Sequence, residues 1–247
     1  MIAKPAWPPV SLPRLFVDEA LAEGRNITVD GNYLSGVLRL PVGQKIKLFD
    51  DRTGEWLAEI VDSNRRRVTL TVGERLRERE SVPDLWLVFA PIKRGRVDWL
   101  VEKATELGVA RLVPAITRRT IVGRLNLDRL RAHAIEAAEQ CERTALPALD
   151  EHRKLAAMLA DWPTDRILYF ADEGGGAPFA PAPGPAAILI GPEGGFTGEE
   201  RAQIRAHPQA RPISLGPRIL RADTAALAAV SLWMAAAGDW RTPPARG

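Results

Sequence analysis

Ile188-Leu189-Ile190-Gly191-Pro192-Glu193-Gly194-Gly195-Phe196-Thr197-Gly198-Glu199-Glu200 decides the fold class. An apolar run of strand length enters a glycine-rich bend and leaves it as a helix. Thr197 and Glu200, three positions apart, have the form of a capping box, each side chain satisfying a backbone N–H at the helix start. A buried strand that feeds a helix is the repeating unit of α/β domains, whose ligands sit beyond the carboxyl ends of the strands. Glycines there let a ligand approach the backbone with no Cβ in the way. The spacing is neither Gly-x-Gly-x-x-Gly nor a loop ending in Gly-Lys-Ser/Thr, so neither a dinucleotide nor ATP phosphates are favoured. Taken alone, the segment fits a tight structural turn equally well.

The same alternation extends outward. Leu85–Ala90 is a continuous apolar run of the buried-strand type, and Val97, Leu100, Val101, Ala104 and Leu107 follow at helical spacing. Arg111–Ile116 is the next expected strand, and Leu127, Leu130, Ala134, Ala137 and Cys141 mark another helix face. Arg166–Ala171 and Ala186–Gly191 are two more strands. The Gly174-Gly175-Gly176 run and the Pro/Ala-rich stretch to Pro185 between them are expected to be a spacer rather than a site. A last helix is expected to start with Asp223 or Thr224 as its cap. It is apolar nearly all round through Ala235, which calls for burial on more than one side, a second subunit being the natural cover.

Upstream, the pattern changes. Arg14–Val17, Lys45–Phe49, Glu55–Val61 and Val68–Val72 are short strands punctuated by Gly43, the Asp50–Gly54 turn and Ser63-Asn64, which suggests a small barrel. Tyr33–Leu40 is expected to be a short helix, and the polar stretch Glu74–Asp84 a linker. Two domains follow, residues 1–78 and 79–247.

Composition narrows the classes. With 46% hydrophobic and 26% charged residues the chain is an ordinary soluble globular type, and no apolar run reaches membrane-span length. The proline-broken Met1–Pro9 stretch is not expected to be a signal peptide. One cysteine, Cys141, excludes an internal disulfide and fits a reducing cytoplasm, while scattered His133, His152 and His207 argue against a zinc site, so no metal is expected. A net charge of +3 does not by itself argue for nucleic acid, although residues 91–154 hold 13 of the basic groups against 9 acids.

A second segment, Ile213-Ser214-Leu215-Gly216-Pro217-Arg218-Ile219-Leu220-Arg221-Ala222-Asp223-Thr224-Ala225, places two arginines before a helix N-terminus, the end whose dipole disfavours cations. Gly191–Phe196 and Leu215–Ala225 together resemble the paired signature of the RsmE-type family, uridine-N3 methyltransferases of 16S ribosomal RNA. The similarity extends over nearly the whole chain. Arg14-Leu15-Phe16-Val17 and Val37–Gly43 resemble the family's PUA-like barrel, and Lys103–Val109 and Glu139–Arg143 its internal blocks. The chain departs from the family at Asp223-Thr224, commonly Glu-Thr, and at Asn32-Tyr33, often histidine.

The resemblance implies a C-terminal SPOUT α/β-knot, a trefoil knot with a mostly parallel sheet, behind a small PUA-like β-barrel. It also implies a homodimer, 16S ribosomal RNA or the small ribosomal subunit as partner, and S-adenosyl-L-methionine as cofactor. On the family pattern Ile190, Gly191, Pro192 and Gly195 would hold the cofactor from the first loop. Leu215, Gly216, Ile219, Leu220, Arg221, Thr224 and Ala225 would hold it from the second. Deprotonated uracil N3 spreads charge onto its carbonyl oxygens, so Arg221 first, then Arg218, are the catalytic candidates, with Asp223 orienting an arginine or accepting a proton. RNA grip is expected from Arg14, Arg39, Lys93, Arg94, Arg96, Arg118 and Arg119. Competing readings are a SPOUT enzyme acting on the ribose 2′-hydroxyl, a non-enzymatic RNA-binding assembly factor, and a small-molecule nucleotide enzyme, which the missing phosphate-loop lysine disfavours.

Overall fold

The computed structural model describes residues 12–121 and 125–242, so Met1–Pro9 lies outside the described residues. The chain divides into two compact units, residues 1–81 with 138–145, and residues 82–137 with 146–247.

In the first unit, β1 (Arg14–Phe16), β2 (Asn26–Asp30), β3 (Lys45–Phe49), β4 (Glu55–Ser63) and β5 (Arg67–Arg77) form one sheet in the order β1-β3-β4-β5-β2. β1 runs parallel to β3 and the other pairs are antiparallel. Alternate residues Ile46 and Leu48, Ala58 and Ile60, and Val68, Leu70 and Val72 face one core, which Ile27 and Leu34 complete. Register shifts between Glu55 and Trp56, Trp56 and Ala58, and Ile60 and Asp62 bend β4 against β5 and curl the sheet. Asp50 anchors the turn after β3, its carboxylate accepting from the N–H groups of Leu21 (2.8 Å), Arg52 (2.9 Å) and Thr53 (2.7 Å). Burial opposes its ionisation, yet these donors prevail and hold its pKa below the usual value.

Three expectations change here. The short helix is a π-helical turn, Asn32–Val37, and strand β2, whose Asn26-Ile27-Thr28-Val29-Asp30 hides only Ile27 fully, was missed. The linker begins later than Glu74, because β5 continues to Arg77. Arg77 binds Glu55 (3.0 Å), and Glu55 also takes Arg14 at 2.5 Å. Residues 138–145 complete the knot of charge: Arg14 donates to the carbonyls of Ala138 (2.6 Å) and Arg143 (3.1 Å), and Arg77 to that of Glu142.

The second unit alternates strand and helix: β6 (Leu85–Phe89), α1 (Arg94–Glu106), β7 (Arg111–Ile116), α2 (Leu127–Gln140), β8 (Ala148–Leu149), β9 (Arg153–Lys154) and α3 (Leu155–Ala160). Then follow β10 (Ile167–Ala171), β11 (Ala177–Pro178), β12 (Ala186–Ile190), α4 (Gly198–Ala206), β13 (Ala210–Ser214) and α5 (Ala222–Ala236). The sheet order is β11-β13-β10-β12-β6-β7-β8, all parallel, with β9 pairing the end of β7. Side chains alternate between two cores, as the pleat requires. Leu85, Leu87, Phe89, Ile188 and Ile190 join α1 and α5 on one face, and Val88, Leu168, Phe170, Ala187 and Leu189 join α3 and α4 on the other.

α5 leaves the β13 side of the sheet yet packs on β12, β6 and α1, so the chain after β13 crosses back over β10 and β12. Its residues Ala226, Ala229, Val230, Trp233 and Met234 are buried at 1% exposure or less. The helix starts at Ala222 with Arg221 as N-cap and no side-chain cap, so neither Asp223 nor Thr224 caps it. Both lie in the first turn, where the Asp223 carboxylate suits the helix dipole. No helix among the described residues is long and apolar enough to cross a membrane.

Candidate functional site

The loops after three neighbouring strands, β10, β12 and β13, close on a cavity of about 360 Å³. It lies at the carboxyl edge of a parallel sheet, in the size range of small-molecule sites. Each loop has its own reason to hold its shape.

After β12, Phe196 is buried and packs edge-on against Phe170 (6.4 Å), pinning the end of the bend. Gly195 has φ +66°, a conformation that L side chains rarely adopt, and donates to the Pro192 carbonyl at 2.8 Å. The expected capping box is present: Thr197 Oγ1 accepts from the Glu200 N–H (3.2 Å), and Glu200 Oε2 from the Thr197 N–H (2.9 Å). Glu200, 7% exposed, does more than cap. Its Oε1 accepts from the backbone N–H of Arg118 (2.7 Å), tying the loop after β7 to this one. Arg119 reinforces the tie by donating to the Gly194 carbonyl, and Arg118 pairs with Glu199 (2.6 Å).

After β10, Asp172 is buried between Arg201 (3.1 Å) and Arg205 (2.5 Å) of α4, and accepts from the Gly174 N–H (2.8 Å). Asp172, Glu173 and Gly175 line the cavity. The Gly174–Gly176 run is therefore part of a wall, not merely a spacer. Gly176 shows why glycine is needed, since a Cβ there would lie 2.7 Å from the Ile213 backbone. The signal available in the sequence was the Asp-Glu pair placed directly after a buried strand.

After β13, Leu215, Gly216, Arg218, Ile219, Leu220 and Arg221 line the cavity, as do Ala222 and Ala225 of α5. Ile190, Gly191, Pro192 and Gly195 line it from the other side. Of the residues expected at the cofactor, Thr224 is not in the wall, and of the three catalytic candidates Asp223 is not. The helix start explains both. Ala222 and Ala225, three positions apart, share the inward face, and the residues between them point elsewhere. Asp223 turns to Arg96, 3.7 Å away on α1. Arg218, Arg221 and Ile219 stand exposed at the mouth, Ile219 at 91%.

The residues expected to grip RNA divide. Arg14 is 7% exposed and committed to Glu55 and backbone carbonyls, so it is a structural cation, unavailable to phosphate. Arg96 holds Asp223, and Arg118 and Arg119 hold the loop after β12 while remaining exposed. Arg39 and Lys93 are exposed, and the side chain of Arg94 lies outside the described residues.

The lining is apolar side chains, glycine backbone and a few charges at the mouth, an arrangement suited to a flat heteroaromatic ligand held by main-chain groups. Comparison with known proteins agrees. Residues 78–234 match the family model described as an RNA methyltransferase domain, and residues 30–73 match the RNA methyltransferase PUA domain. The ribosomal RNA small subunit methyltransferase E of Rickettsia conorii is 30% identical over 229 residues, 88% of this chain and 93% of that protein. A methyltransferase of Legionella pneumophila, solved with bound SAM, superposes with a TM-score of 0.86 at 29% identity, covering 93% of this chain and 100% of that one. The ribosomal RNA small subunit methyltransferase E of Neisseria gonorrhoeae, solved with S-adenosyl methionine, gives 0.85 at 26% identity, covering 93% and 99%.

Proposed function

We infer the activity from one premise: the chain belongs to the RNA methyltransferase domain family, a SPOUT-class enzyme with a PUA-like N-terminal sheet. It uses S-adenosyl-L-methionine to methylate 16S ribosomal RNA of the small subunit, at N3 of a uridine. The observation that carries this is the cavity walled by the loops after β10, β12 and β13, in a fold whose solved neighbours hold that cofactor. The named relatives support the substrate, and residues 79–247 are proposed as the catalytic domain and 1–78 as the RNA-binding one. A ribosomal substrate implies a cytoplasmic location.

The wall fits the cofactor. Ile190, Leu215, Leu220 and Ala225 offer apolar contact, and Gly191, Gly195 and Gly216 expose backbone groups. When bound, S-adenosylmethionine supplies a methyl group on a sulfonium that a nitrogen nucleophile displaces. The protein orients the base and favours its anion. We assign Arg221 and Arg218, which line the cavity at its mouth, the role of guanidinium groups beside O2 or O4 of uracil that stabilise the deprotonated base. Holding nucleophile and acceptor in line is worth about 7–11 kcal/mol in well-oriented reactions.

The return of α5 across β10 and β12 is what a trefoil knot at the C-terminal end requires, and we propose one. We also propose a homodimer, because Leu232 and Trp240 at and after α5 and Trp99 on α1 are 48%, 49% and 42% exposed. Two measurements test the activity. Calorimetry with S-adenosylhomocysteine should show binding. Mapping of modified nucleosides in ribosomal RNA from cells with and without the gene should show one lost 3-methyluridine; a lost 2′-O-methyl mark instead would move the reaction to the ribose.

A further inference from the structure

The β4–β5 hairpin carries Arg65, Arg66 and Arg67 in succession, all exposed. Asn64 shapes it, its Oδ1 accepting from the N–H groups of Arg66 and Arg67, each at 3.0 Å. The π-helical turn sits against this hairpin. The Gly31 N–H donates to the Arg66 carbonyl (3.1 Å), and a Cβ on Gly31 would lie 2.5 Å from the Asn64 carbonyl oxygen. That contact holds the start of the turn on the hairpin backbone, and Asn32 and Tyr33 follow Gly31 directly, with Tyr33 44% exposed. Arg39, also exposed, lies where the turn closes, between the Leu38 and Leu40 N–H groups that bond back to Tyr33 and Leu34.

Elsewhere in this unit arginines find acids. Arg25 pairs with Glu19, Arg52 with Asp18, Arg75 with Glu78, Arg79 with Asp51, and Arg14 and Arg77 with Glu55. Among the described residues Arg39, Arg65, Arg66 and Arg67 have no carboxylate within ion-pair distance. Asp30 is the acid nearest in register, opposite Arg67, and its Oδ1 accepts from the Asn32 N–H (2.7 Å). Asp62 precedes the hairpin on β4. Unneutralised guanidinium groups on a hairpin that holds a turn with an exposed phenol ring match the two needs of a single strand: charge for phosphates and a flat face for a base.

We propose that Arg65, Arg66 and Arg67, with Tyr33 and Arg39 of the turn, form a docking surface for a single-stranded segment of the RNA substrate. This rests on the RNA methyltransferase reading and names the surface that grips the RNA on the N-terminal unit, where the buried Arg14 does not. The arginines hold backbone phosphates and set the salt dependence. Tyr33 stacks on an unpaired base and adds affinity with little salt dependence.

The test uses the full chain with S-adenosylhomocysteine present and a fluorescein-labelled single-stranded RNA of about 12 nucleotides, a length one such surface spans. Anisotropy titrations at several salt concentrations compare wild type with Arg65→Gln/Arg66→Gln/Arg67→Gln. Losing three phosphate contacts lowers the slope of log affinity against log salt by about 2 for a single strand. Tyr33→Ala weakens binding roughly tenfold with the slope unchanged, and Tyr33→Phe restores it. An unchanged slope in the triple variant, or tighter wild-type binding to the duplex of the same sequence, overturns the proposal. Calorimetry with S-adenosylhomocysteine separates the two ideas: failure of wild type to bind it removes the methyltransferase reading, while a slope that still falls supports the surface.

Discussion

Replacing Glu200 with alanine tests how the loop after β12 is held. The carboxylate accepts two backbone N–H groups, from Thr197 at 2.9 Å and Arg118 at 2.7 Å, in a side chain 7% exposed. Losing the Glu200 half of the capping box, the acceptor for the Thr197 N–H, costs about 1 kcal/mol, while the Thr197 half remains. Leaving the second donor without its charged acceptor costs about 1–3 kcal/mol, less whatever water recovers at the exposed Arg118. Together Glu200→Ala should destabilise the second unit by about 2–4 kcal/mol. The bend from Gly191 to Phe196 would then have to be ordered at each binding event, and S-adenosylhomocysteine affinity should fall about 5–30-fold, the equivalent of 1–2 kcal/mol. Urea unfolding followed by tryptophan fluorescence reads the first quantity, since Trp86, Trp162 and Trp233 are in that unit, and calorimetry reads the second. Glu200→Gln should fall between, because its amide oxygen can serve one donor while its NH₂ opposes the other. A loss below about 0.5 kcal/mol with unchanged affinity would show that the loop holds its form without this tie.

Arg221→Ala should lower methylation about 10²–10³-fold while the protein still folds and binds S-adenosylhomocysteine, measured by tritiated methyl transfer. Asp223→Asn should leave methylation within about threefold, because the carboxylate faces Arg96 in a half-exposed pair worth about 0–1 kcal/mol. Glu55→Gln should cost about 3–5 kcal/mol at neutral pH by leaving Arg14 and Arg77 uncompensated. Burial pushes the Glu55 pKa up, but the Arg77 hydrogen bond and the Arg14 charge outweigh it, so the net shift is down from 4.5. A depressed carboxylate stabilises the fold above its unfolded value and loses that contribution as pH falls through the folded one. Wild type should thus weaken below the ordinary carboxylate range, and Glu55→Gln should show a flatter acid limb in urea midpoints taken from pH 7 downward.

The strands and helices of the second unit were legible because they are long, apolar and periodic. Arg111–Ile116 was read to the residue, and Thr197 with Glu200 announced its box. What escaped depends on partners distant in sequence. Nothing local in Arg14 distinguishes a cation buried on Glu55 from one offered to solvent. Short β8, β9 and β11 exist only as neighbours of β7 and β13, with too few residues to show a period. At the site, the two glycine-bearing loops were visible, but the third wall was not. Asp172 and Glu173 enter it only because β10 lies between β13 and β12 in the sheet. Asp223 lies outside the cavity lining for a smaller reason: the helix is capped at Arg221, two residues before Asp223, and the carboxylate stands beside Arg96.

The backward passage of the chain after β13 also dictates timing during synthesis. Two walls of the cavity are made by residues 171–196, but the third and the helix behind it come from residues 213–236. A nascent polypeptide therefore has no complete methyl-donor pocket until residues 213–225 have left the ribosome. A chain that stops before Leu215 lacks the third wall, however much of the sheet it has assembled.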